Sequence, residues 1–249
     1  MQTVRGLTAV ISGGSGGVKF EMVKHLLADG VNVALLGHFA KTTNAAVEEA
    51  KAISENIIGF ECNVNDPGQV DACLKQTVER FGGIDVLMSL HGAHPQPDKS
   101  DIETMELGFW EGYINGHVTG SYVLVQHALP YLKQSKSPRI VFEVAPVGLD
   151  PVEAVLPYST AKGGLVALAK GCARQLAKYG ITVNCVNVGK TVGAGTPQEE
   201  AQKLAQGIPL GRCCTGEDYA FAVETLICKE AGFITGEVLN LTGGVYVDG

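Results

Sequence analysis

Short β-branched runs alternate with longer amphipathic stretches along the whole of this 249-residue chain. The runs fall at 8–12, 31–36, 57–62, 86–90, 139–145, 182–188 and 237–241. Helical patterns fall at 18–29, 43–54, 67–81, 109–134, 158–178 and 217–228. The strand segments are almost continuously apolar, which suits strands covered on both faces. Glycines close helices at Asp29-Gly30, Phe81-Gly82-Gly83 and Tyr179-Gly180. Alternating β and α units give a parallel sheet with right-handed crossovers and a helix layer on each face. No linker, repeat or low-complexity stretch intervenes, so residues 1–249 are expected to form one α/β domain around a seven-stranded, doubly wound sheet.

Composition narrows the function classes. The 32 glycines are near twice the usual ~7% share but have no three-residue period, which excludes collagen. An apolar share of 45% excludes global disorder, and a net charge of −7 gives no basic footprint for nucleic acid or an anionic membrane. No apolar run approaches the ~20 residues of a membrane helix, and the first residues read as leading directly into a strand, not as a signal peptide. The seven cysteines contain no CxxC pair, so reduced thiols and a cytoplasmic location are expected.

Ligands of doubly wound sheets bind beyond the carboxyl ends of the strands. Directly after the first run comes Ser12-Gly13-Gly14-Ser15-Gly16-Gly17-Val18-Lys19. Such a turn lets backbone N–H groups and a helix dipole approach a diphosphate. Further on, Tyr158 and Lys162 stand four apart at a helix start and so point the same way. An adjacent cation makes a tyrosine, ordinarily near pKa 10, usable as a general acid.

With this strand pattern, the glycine turn and Tyr158-x-x-x-Lys162, the chain resembles the short-chain dehydrogenase/reductase family, most of all its ketoacyl-carrier-protein reductase and sugar-dehydrogenase type members. Phe81-Gly82-Gly83-Ile84-Asp85-Val86-Leu87, Gly211-Arg212, Ile234-Thr235-Gly236 and Gly243-Gly244 extend the likeness over essentially the whole length. The resemblance implies a Rossmann fold and an NAD(P)-dependent oxidoreductase acting on the carbonyl or secondary alcohol of a small molecule. It assigns the proton donor to Tyr158 and the nicotinamide ribose to Lys162. It places cofactor contacts at Ser12, Gly13, Ser15, Gly17, Val18, Asn63, Val64, Gly92, Gly189 and Thr191. It also implies a homotetramer in which the 109–134 and 158–178 helices pair across an interface, with Ala161, Gly163, Gly164 and Ala167 permitting close contact. At the corner where NAD-dependent members carry an acid stand Gly37 and His38; His38 with Lys41 can receive a 2′-phosphate, which tips the expectation from NAD toward NADP.

The pattern breaks at several positions. The last glycine of the phosphate turn is Lys19, the family's Asp-Val is Asn63-Val64, and Asn-Asn-Ala-Gly has become Ser89-Leu90-His91-Gly92. The catalytic serine position holds Ala145 and the asparagine position His117. Losing one such hydrogen-bond donor costs about 10²–10³ in rate. His91, His94 and His117 are expected to share one cleft, without a metal, since their spacing matches no ligand signature. Glu143 falls on the strand face of Ala145, and a buried carboxylate calls for a partner such as His117. Three readings stay open: residual standard chemistry with His117 as a proton relay; a site rebuilt for another substrate or for non-redox acid/base work by His117 and Glu143; and a degenerate fold kept for nucleotide binding or scaffolding.

Overall fold

A computed structural model describes residues 3–247. Seven parallel strands, β1 (Thr8–Ser12), β2 (Asn32–Gly37), β3 (Ile57–Glu61), β4 (Val86–Ser89), β5 (Arg139–Val144), β6 (Thr182–Val188) and β7 (Val238–Leu241), form one sheet in the order β3-β2-β1-β4-β5-β6-β7. The connecting helices are α1 (Gly17–Ala28), α2 (Ala40–Ala50), α3 (Pro67–Phe81), α4 (Leu107–Ile114), α5 (Gly120–Leu132), α6 (Leu156–Leu176), α7 (Gln198–Ala205) and α8 (Gly216–Ile227). The chain winds outward from β1 to β3, then returns to pair β4 with the other side of β1. The reversal leaves a crevice at the carboxyl ends of β1 and β4, the place where such sheets bind ligands.

Strand alternation divides the core between the two helix layers. Val141 faces a cluster with Leu26 of α1 and Val223 and Leu226 of α8. Phe142 and Val144 face the other way, toward Leu74 of α3, Leu124 of α5 and Leu165 of α6. Glu143 therefore shares the α1/α8 side with Val141. This alternation settles which partners its carboxylate can reach.

Two stretches depart from the expected elements. The 109–134 pattern is interrupted by a π turn over Asn115–Thr119, which separates α4 from α5 and holds His117. Single π turns of this kind often mark functional positions. Between β6 and α8, where no helical pattern is read in the sequence, stands α7, an eight-residue helix whose short stripe of Ala201, Leu204 and Ala205 is only half-buried. Among the small residues of α6, Ala161 is buried within the subunit, Ala167 is exposed, and Gly163 and Gly164 lie close to Gly148 and Val118.

The first turn of α8 is fixed from two sides. A Cβ on Gly216 would stand 2.2 Å from Glu21 Cβ, so only glycine lets α8 close on α1 here. Thr215 caps the helix: its Oγ1 accepts the Asp218 N–H while Asp218 accepts the Thr215 N–H at 2.9 Å. Arg212 donates to the same carboxylate at 2.8 Å. This turn carries Tyr219, fully buried, toward β5. Removing the cap with Thr215→Ala should lower the unfolding free energy by about 1 kcal/mol, and the melting temperature by about 2–4 °C. An unchanged melt would show that the cap does not secure α8.

Candidate active site

At the end of β1 the glycine turn lies open. Gly13 takes a φ of +80° and presses on His91, whose Cα would be 2.6 Å from a Gly13 Cβ. Gly16 and Gly17 face open space, and no side chain caps α1. The first N–H groups of that helix are thus left for an anion, and the turn fits a diphosphate. Ser15 is half-buried beside it, whereas Val18 puts its side chain into the core and can offer only its backbone N–H.

The side chain of Lys19 leaves the first turn of α1 and crosses the crevice. Its ammonium donates to the Leu90 carbonyl just beyond β4 and lies 2.8 Å from Glu143 Oε1 on β5. Lys162 approaches the same Oε1 to 3.5 Å and donates to the Glu143 carbonyl at 3.0 Å. Tyr219 donates its hydroxyl to Glu143 Oε2 at 2.7 Å. Burial pushes the Glu143 pKa up, but the ammoniums of Lys19 and Lys162 outweigh it and hold the carboxyl down at about 2. Burial lowers Lys162 to about 8, with Glu143 opposing and Lys19 reinforcing the shift. The expected Glu143–His117 pair does not form: Glu143 belongs to the α1/α8 face, while His117 donates toward the Ala93 carbonyl at 3.2 Å.

His117 instead joins a group of rings. It stacks on Tyr113 at 6.0 Å and meets Tyr158 at 5.6 Å with the rings 75° apart; Lys162 Nζ lies 5.6 Å from the Tyr158 ring centre. Burial, the Glu143 charge and Tyr113 raise the Tyr158 pKa, so its hydroxyl stays protonated. Ala145 is buried at the mouth of β5 and offers only a methyl group.

A buried hydroxyl chain runs beneath these rings. Ser121 donates to the His117 carbonyl, and Ser89 and Ser121 are 2.7 Å apart. His91 Nδ1 lies 2.7 Å from Ser12 Oγ and 3.2 Å from Ser89 Oγ. Because the Ser121 proton is spent on a carbonyl, Ser89 must donate to Ser121, and the network then assigns the proton of His91 to Nδ1. By the same logic Nε2 of His117 carries its proton, since Ala93 offers only an acceptor. That leaves His91 Nε2 and His117 Nδ1 buried without partners. Burial above all, with Lys162 adding, lowers both histidines to about 3, so both are neutral.

The remaining sequence-derived positions fall around this centre. Gly92 abuts the His117 ring, and Val64 reaches the neighbourhood of Gly120 and His91. Gly189 packs on Thr242 and Thr191 bridges to Cys214, on the far side of the crevice. His38 and Lys41 are exposed beyond β2. Asn63 is exposed, and its side chain accepts the Asn65 N–H. His94 does not join the other two histidines; its side chain is exposed and only its carbonyl takes part, accepting the Tyr113 hydroxyl at 2.6 Å. Among the described residues no group of three or more His, Cys, Asp or Glu could hold a metal. Sequence reasoning missed Tyr113, Ser89, Ser121 and Tyr219. Tyr219 is 76 residues from Glu143, and only the packing of α8 reveals the contact.

The family model for short chain dehydrogenase matches residues 7–204. A 3-oxoacyl-[acyl-carrier-protein] reductase FabG of Staphylococcus aureus is 30% identical over 244 residues, covering 96% of this chain and 98% of that one. The BbsD subunit of (2S)-[(R)-hydroxy(phenyl)methyl]succinyl-CoA dehydrogenase from Thauera aromatica is 27% identical, covering 97% of each. The crystal structure of a 3-ketoacyl-(acyl-carrier-protein) reductase from Brucella melitensis, complexed with NADH, superposes with a TM-score of 0.86 at 23% identity, over 98% of this chain and 100% of that one. With the family model spanning most of its length and a relative of 30% identity matching it almost end to end, the chain belongs to the short-chain dehydrogenase family and is an oxidoreductase of that type.

Proposed function

We propose that the protein interconverts a carbonyl and a secondary alcohol on a small molecule with a nicotinamide dinucleotide, NADP in preference to NAD. The observation that carries this reading is that α6 sets Tyr158 and Lys162 at the same sheet edge as the uncapped glycine turn. The substrates in the relatives' names, an oxoacyl group in one and a hydroxyacyl-CoA in another, support the reaction class. Preference for NADP is supported by the corner after β2. A Cβ on Gly37 would lie 2.0 Å from Thr43 Oγ1, so no acid for the ribose hydroxyls fits, while His38 and Lys41 stand free for a phosphate. By likeness to the family the working form is a cytoplasmic homotetramer.

The bound dinucleotide supplies hydride chemistry at its nicotinamide ring. The chain's own residues do the rest. N–H groups of Gly17 and Val18 bind the diphosphate, and Ser12, Gly13 and Ser15 shape the turn. Asn63 and Val64 flank the adenine end, and Gly92, Gly189 and Thr191 line the approach to the nicotinamide end. Lys162 holds the ribose hydroxyls and supplies positive charge near Tyr158. Tyr158 Oη gives its proton to the carbonyl oxygen as negative charge develops there. Its raised pKa keeps that proton in place at neutral pH and favours reduction over oxidation. His117, neutral and with Nδ1 unpartnered, orients the tyrosine ring and offers a hydrogen-bond acceptor beside it.

NADPH oxidation over a panel of ketones and oxoacyl thioesters tests this. Tyr158→Phe should cut turnover by about 10²–10⁴ with NADPH affinity unchanged. Ala145→Ser should raise turnover by restoring an oxyanion donor, toward the 10²–10³ that such donors are worth. Full activity in Tyr158→Phe would remove the tyrosine from the chemistry. The pH profile gives an independent check. Lys162 loses its charge as pH rises through about 8, so reduction should be level from pH 6 to 7 and fall above that. No limb should occur near 6.5, because both buried histidines are neutral down to about 3. A limb near 6.5 would place a titrating histidine in the mechanism.

A further inference from the structure

We propose that Lys19 is an intramolecular occupant of the nicotinamide end of the crevice, and that a dinucleotide must displace it from Glu143 to bind in full. The inference rests on the reading that the glycine turn and Lys162 hold the two ends of a nicotinamide dinucleotide. A ligand with its diphosphate at Gly16–Gly17 and a ribose at Lys162 must run from the first turn of α1 to the end of β5. The Lys19 side chain takes that course. It starts in the first turn of α1 and ends on the carboxylate oxygen that Lys162 also approaches, at 2.8 Å and 3.5 Å respectively. The same ammonium ties across the β1/β4 switch point by also donating to the Leu90 carbonyl.

The contact is a built one. Glu143 is nearly inaccessible and its second oxygen is taken by Tyr219, so the carboxylate cannot swing out to follow Lys19. Lys19 is the more accessible partner, with a quarter of its side chain exposed, and is the one able to leave. Its departure still leaves Glu143 with Lys162 and Tyr219. At the diphosphate half no side chain plays the part of Lys19: a Cβ on Gly16 or Gly17 would meet open space, and the residue of the loop after β6 that comes nearest Gly17 and Val18 is Gly193. Lys19 therefore penalises the nicotinamide half selectively, and ADP and NADPH should respond differently to its removal.

Titration calorimetry of the full-length protein with ADP, NADPH and NADH, on wild type, Lys19→Gly and Glu143→Gln, tests this, with circular dichroism confirming the fold of each. Lys19→Gly should bind NADPH and NADH at least tenfold tighter than wild type, while ADP affinity stays within threefold. Glu143→Gln, which removes the charged anchor but leaves the Leu90 carbonyl, should shift the dinucleotides the same way by a smaller factor. Equal or weaker dinucleotide binding in Lys19→Gly, with ADP still bound, overturns the inference and leaves the dinucleotide reading intact. If none of the three nucleotides binds any of the proteins, the dinucleotide reading itself fails and this inference falls with it.

Discussion

The Glu143 carboxylate, buried at the carboxyl end of β5, is the constraint around which the rest of the site is arranged. A lone carboxylate in that position would be prohibitively costly. Lys19 from α1, Lys162 from α6 and Tyr219 from α8 meet on it, so three helices from both layers of the sheet are tied to one strand end. The cluster carries one net positive charge beside an uncapped helix N-terminus, which makes this edge of an otherwise acidic protein receptive to anions. The low Lys162 pKa and the high Tyr158 pKa both follow from burial next to this cluster.

Burial, reinforced by the same positive field, explains the histidines. Beside two ammoniums and out of water, imidazolium is doubly disfavoured, so His91 and His117 serve as neutral hydrogen-bonding groups. The serine chain from Ser12 to Ser121 fixes the tautomer of His91 and joins the end of β1 to the π turn through β4, while the Ala93 carbonyl fixes that of His117. Beside Tyr158 the site thus presents a methyl group at the end of β5, Ala145, and an oriented, uncharged ring, His117.

Much of the fold was legible in the sequence because continuous apolar runs and glycine helix stops are local signals. Strand β1 and helix α3 begin and end where their patterns do. The glycine turn and the Tyr158–Lys162 spacing were legible for the same reason. The partner of Glu143 was not: the strand period places its side chain on one face, but which helix supplies the neighbours depends on packing between residues 76 and 124 positions apart. The π turn escaped because one extra residue in a helix barely disturbs an apolar pattern, and α7 because its stripe of Ala201, Leu204 and Ala205 spans barely one turn. Proximity in sequence likewise suggested that His94 would join His91, yet the backbone beyond Gly92 turns its side chain outward.

The claim on which all of this depends is that Lys19 and Glu143 act as a pair. A double-mutant cycle on the urea unfolding free energy at pH 7, with Lys19→Met, Glu143→Gln and the double variant, measures that directly. The structure predicts that the two losses do not add, with a coupling of about 1 kcal/mol or more, within the range found for residues in contact. Additive losses, with coupling near zero, would mean that Lys19 is not bound to Glu143 in solution and would contradict the account.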